Sequence, residues 1–112
     1  MRVEFDSIAR EKLEKALNGQ QGYFKLITEN EGCATGGIFN ILLLSEPEAA
    51  DKPIESEAFS FLVDSQQEIY FEQTLRLKGH PTFPSFRLSS DSMLYSDHVI
   101  IKDRRVNLNK AV

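Results

Sequence analysis

Cysteine is nearly absent from this 112-residue chain: Cys33 is the only one, and there is no tryptophan. One thiol cannot close an internal disulfide, so the cross-linked framework of small secreted domains is excluded and the fold must stand on its apolar core. Long apolar runs are also missing. The longest, IFNILLL, is broken by Asn40 and falls far short of the roughly 20 residues that span a bilayer. The first residues, MRVEFDSIAREK, lack the apolar stretch of a secretory leader. The expectation is a cytoplasmic protein that makes no use of a membrane.

Positive charge is in short supply as well. Thirteen Lys and Arg stand against seventeen Asp and Glu, and the one basic cluster, KDRR at 102–105, is too short for an electrostatic footprint on nucleic acid. That cluster reads as a solvated strand end. What is present is ordinary for a globular protein, 41% hydrophobic and 27% charged, which argues against disorder. The length suits one modest core, so a single domain over residues 1–112 is expected, with 104–112 as an exposed tail.

Along the chain, VEF at 3–5 alternates as a short strand, and DSIAREKLEKALNGQQG then sets Ala9, Leu13, Ala16 and Leu17 at helical spacing. Asp6 or Ser7 can cap that helix and Gly19 can close it. From Gly22 the pattern changes: GYFKLITE and GIFNILLLS are rich in β-branched and aromatic residues and read as a hairpin around NEGCATGG. The polar, proline-containing EPEAADKPIES reads as a connection, and AFSFLVDS as a strand with Phe59, Phe61 and Val63 on one face. Short strands fit EIYF, TLRLKG, SFRLSS and HVIIKD, GHPTFPSF reads as a loop, and SSDSMLYSD as a loop or a turn of helix. The residues alone give a mainly β fold with one N-terminal helix, a meander or open barrel.

Few patterns carry chemistry. A nucleophilic Cys33 needs a base, and only His80 and His98 could supply an imidazole; His80 beside Pro81 reads as a loop residue and His98 before VII as a strand start. The loop GCATGG lacks the spacing of a phosphate-binding fingerprint, and the acidic stretches lack the pattern of a calcium loop. No enzymatic activity is expected. Nearby Glu29 and Glu31 would raise a thiol pKa rather than lower it, whereas a bound metal would deprotonate Cys33 itself. The two histidines are separated by seventeen residues, unlike the close pairs of zinc motifs.

Taken in order, VEFDSIAREKLEKAL, GYFKLITENEGCATGGIFNILLL, FSFLVDSQQEIYFEQTLRLKG and SFRLSSDSML resemble the HesB-like (A-type, HesB/IscA) iron–sulphur cluster biosynthesis family, over about residues 2–101. The resemblance implies an N-terminal helix and a meander folded into an incomplete barrel or sandwich. It also implies a carrier or scaffold of iron or a labile iron–sulfur cluster, with Cys33 as the metal and cluster ligand. The C-terminal Cys-Gly-Cys of the better-studied members has no counterpart, since YSDHVIIKDRRVNLNKAV contains no cysteine. In this the chain is similar to a divergent Gram-positive branch whose loop resembles EGCGC, although here Ala34 and Thr35 follow Cys33. Protein-bound clusters usually take four protein ligands, mostly thiolates. A homodimer would bring two copies of Cys33, leaving the rest to His80, His98, a carboxylate or an external thiol such as glutathione. Assembly and recipient proteins are the implied partners. The alternative is a metal-free HesB-like fold acting as a protein-binding or regulatory module, in which Cys33 is a small hydrophobe.

Overall fold

The computed structural model describes residues 1–29 and 38–105. Strand β1 (Arg2–Phe5) leads into helix α1 (Ser7–Leu17), followed by β2 (Tyr23–Glu29), β3 (Ile38–Leu44), β4 (Asp51–Ser56) and β5 (Phe61–Asp64). A 3-10 turn (Glu68–Tyr70) precedes β6 (Thr74–Gly79), β7 (Phe86–Ser89), β8 (Leu94–Val99) and β9 (Ile101–Asp103). None of the described helices is long and apolar enough to cross a membrane.

Helix α1 forms where the periodicity places it. Asp6 is its N-cap, its Oδ1 accepting from the Ala9 amide at 2.8 Å. The same oxygen accepts from the Gly79 amide at 3.2 Å, which docks the helix start on β6. A Cβ at Gly79 would lie 2.7 Å from the Ala9 nitrogen, so only glycine allows this approach. At the other end Asn18 takes the left-handed position at φ 53°, and Gly19 follows at φ 75°. Arg105 then completes the helix terminus, Nη1 donating to the Leu17 carbonyl and Nη2 to that of Ala16, both at 2.9 Å. A cation on these orphan carbonyls also suits the negative end of the helix dipole. Arg105, inside the stretch expected to form the tail, is therefore anchored; NLNKAV lies outside the described residues.

The strands form one sheet in the order β8-β7-β6-β1-β4-β5-β2-β3-β9. Its first and last members are separated in sequence only by Ile100, so the segment from Leu94 to Asp103 runs from one edge to the other and nearly closes the sheet into a barrel. The Ile41 amide donates to the Ile100 carbonyl at 2.9 Å, and the Ile100 amide donates to Asn40 Oδ1 at 3.2 Å. Alternation directs Phe24 and Leu26 of β2, Ile41 and Leu43 of β3, Leu75 and Leu77 of β6, and Phe86 and Leu88 of β7 into the interior, with Leu13 of α1 closing one side.

Several expectations change. The supposed connection EPEAADKPIES contains β4. Pro53 fits there because β1 pairs only with Glu55 and Ser56, so the stretch around Pro53 has no strand on that side to need its missing N–H. EIYF is not a strand but the 3-10 turn, with Ile69 82% exposed and only Phe71 buried. AFSFLVDS yields a strand only from Phe61, and Leu62 is also buried, on the face it shares with Lys25. HVIIKD is split at Ile100 between β8 and β9, and SSDSMLYSD is a loop that enters β8 at Leu94.

Candidate functional site

Cys33 lies outside the described residues, in the segment 30–37 that joins β2 to β3. What the structure gives is the base of that segment. Glu29 and Ile38 face each other as the last residue pair of the β2–β3 hairpin. Glu29 Oε2 accepts from Asn40 Nδ2 at 2.8 Å and from Lys102 Nζ at 3.1 Å. Because Asn40 also accepts from the Ile100 amide through Oδ1, one buried side-chain amide ties β2, β3 and the β8–β9 junction together at this point.

These donors hold the Glu29 carboxyl below its ordinary range, the Asn40 hydrogen bond contributing most and that of Lys102 next. Its folded pKa lies below the unfolded one, so Glu29 contributes stability above about pH 4.5 that is lost as pH falls through the lowered folded value. The expected outcome is a urea midpoint that falls between pH 5 and 3 in the wild type, with a shallower fall in Glu29→Gln. Equal slopes for both proteins would count against this assignment.

One residue earlier, Gln67 takes over where β5 has ended. Its Oε1 accepts from the Thr28 amide at 3.0 Å and its Nε2 donates to the Thr28 carbonyl at 3.1 Å, so a side-chain amide does the work of a strand peptide. Nearby, Phe39, Phe71 and Tyr95 form a triangle with ring centroids 5.3–5.7 Å apart, and Tyr95 Oη accepts from the Glu72 amide at 2.8 Å. The chain neighbours of these rings, Ile38, Ile69, Tyr70, Met93 and Leu94, are five of the six exposed large hydrophobic residues among the described residues; Phe83 is the sixth.

Of the candidate ligands beyond Cys33, His80 and Glu29 are engaged with other residues. His80 follows β6 at the end away from Phe71, roughly 20 Å along the strand by the rise per residue. Its Nε2 lies 2.9 Å from the Asp97 carbonyl and 3.3 Å from Asp97 Oδ1. His98 stands exposed on β8, so the fold brings His80 to the residue next to His98 despite their separation in sequence. Glu29, the carboxylate at the segment's base, is already shared between Asn40 and Lys102. Among the described residues no group of three or more His, Cys, Asp or Glu side chains could hold a metal ion. Asn40 was visible in the sequence only as the polar break in IFNILLL, and Lys102 only as part of a solvated basic run; Gln67 carried no signal.

A family model described as iron–sulphur cluster biosynthesis matches residues 1–103. A search of curated proteins finds no match. Among solved structures, one assigned to Fe–S biosynthesis from Lactobacillus salivarius has a TM-score of 0.78 at 18% identity, covering 95% of this chain and all of that one. A second, from Lactobacillus acidophilus, has a TM-score of 0.74 at 19% identity, covering 92% and 90%. IscA with a [2Fe-2S] cluster has a TM-score of 0.61 at 16% identity, covering 91% and 98%. At these identities the structural likeness is one of fold, while the family model spans nearly the whole sequence. The chain belongs to the iron–sulphur cluster biosynthesis family.

Proposed function

We propose that this protein takes part in iron–sulphur cluster assembly by carrying iron or a labile cluster as cargo, with Cys33 as its thiolate ligand and two copies of the chain sharing the load. The observation that carries the reading is the placement of the lone thiol's segment on a hairpin whose base is braced by the Glu29–Asn40–Lys102 network. A braced base fixes where the segment starts and ends. One thiol per chain falls short of four ligands, so a second copy and a small external thiol such as glutathione complete the set. Weak, shared ligation suits cargo that must be passed on, and needs no covalent turnover, so the role is not enzymatic. Exposed Ile38, Tyr70 and Leu94 near the segment's base support contact there with another copy or with an assembly or recipient protein. The expected compartment is the cytoplasm.

The test is anaerobic reconstitution with iron, sulfide and glutathione, followed by size exclusion with metal analysis. Wild type should gain visible absorbance and iron in a dimer fraction, and Cys33→Ser should gain neither. Colourless, metal-free protein in both cases would overturn the carrier role and favour the metal-free binding module.

A further inference from the structure

A groove of about 570 Å³ runs along α1. Lys12 and Lys15 stand on its helical side, while Ala16, Ile100 and Ile101 give it a half-buried apolar floor over the buried Phe86 ring. Most of the other described Lys and Arg side chains meet a carboxylate within 4 Å, for example Lys52 with Glu68 and Arg76 with Asp91. Lys12 and Lys15 do not, among the described residues. Lys12 Nζ donates instead to the Phe83 carbonyl at 2.5 Å, a neutral partner that leaves its charge uncompensated. Glu11 and Glu14 line the neighbouring depression toward His80, which Lys12 and Lys15 also border, but no acidic residue lines this groove. In a chain of net charge −4, two lysines without an ion pair thus border an apolar floor on a groove that carries no carboxylate of its own.

We infer that this groove docks a segment of a partner protein in which apolar side chains alternate with carboxylates. The apolar side chains lie on Ala16, Ile100 and Ile101, and the carboxylates meet Lys12 and Lys15. Phe83, 64% exposed on the loop that Lys12 holds, extends the apolar contact beyond the groove. The charges select the sign of the partner and speed encounter, and burial of apolar surface supplies the affinity.

The test uses the full chain and a fluorescein-labelled heptapeptide of alternating glutamate and leucine, with a counterpart carrying lysine for glutamate, read by fluorescence anisotropy at low and high salt. The glutamate peptide should bind with sub-millimolar Kd, more weakly at high salt, and roughly tenfold more weakly to Lys12→Glu/Lys15→Glu. Lys15→Glu alone, at an exposed position with no described hydrogen bond to lose, should weaken binding in the same direction, and Cys33→Ser should bind as wild type does. The proposal is overturned by absence of saturable binding, by equal binding of the lysine peptide, or by indifference to both charge reversals. Binding that requires removal of residues 106–112 would overturn it by assigning the groove to the chain's own segment. Self-association abolished by the same charge reversals would overturn it in favour of a second copy.

Discussion

Replacing Lys25 with methionine is expected to destabilise the protein by about 3–5 kcal/mol, although methionine fills a similar volume. Lys25 lies on the outer face of β2, yet it is only 6% exposed, because the segment after β3 folds over it. Its Nζ donates to Glu48 Oε1 at 2.7 Å and meets Asp51 Oδ1 at 2.9 Å as an ion pair. Burial lowers the Lys25 pKa, but the hydrogen bonds to Asp51 and Glu48 outweigh it and hold the ammonium above the ordinary lysine value. A raised folded pKa means that this stabilisation is fully present below the unfolded value of 10.5 and is lost as pH rises through the folded one. The Asp51 side chain is fully buried, so removing the lysine leaves a carboxylate without its counter-ion, while Glu48, two-thirds exposed, returns to water at little cost. Urea denaturation of Lys25→Met, Asp51→Ala and the double variant checks this. The double variant should be more stable than the sum of the single losses requires, by about 1–3 kcal/mol of coupling. Strict additivity would mean that the two charges do not depend on each other.

Phe71→Ala should cost about 3–5 kcal/mol and lower the melting temperature by on the order of 10–20 °C. Phe71 is 6% exposed and has both Phe39 and Tyr95 against its ring, so truncation opens a cavity that those two rings cannot fill without leaving their own contacts. Two residues earlier, Ile69→Ala should change stability by no more than about 0.5 kcal/mol, since Ile69 is 82% exposed. The pair is a sharp comparison because both belong to EIYF, where the sequence suggested equivalent strand residues. Similar losses at the two positions, measured by thermal unfolding, would contradict the packing described at the base of the cysteine segment.

Much of the fold was legible because its determinants are local. The 3.6-residue spacing of α1, its Asp6 cap, the β2–β3 hairpin and the alternation in β6 and β7 all follow from residues close in sequence. β4 was hidden because its sequence, DKPIES, carries one large apolar residue and a proline, and its pairing depends on which part of it β1 reaches. The candidate site was legible in one respect only: a lone cysteine between two strands. Its frame was not, because Asn40, Glu29 and Lys102 act on one another only after the barrel has brought β2, β3 and β9 side by side.

The sequence by itself determined the mainly β composition with one capped helix, the family to which the chain belongs, and the supply of a single thiol per chain. The tertiary structure alone decided how the sheet closes, with the Ile100 amide held by Asn40 sixty residues away, and how Arg105 caps a helix that ends at Leu17. It also decided which basic side chains are neutralised and which, as at Lys12 and Lys15, face an open groove. The reason is physical: helix and strand periodicity is set by neighbours along the chain, whereas hydrogen bonds and charge pairs between distant residues exist only once burial has brought them together, and no local pattern encodes them.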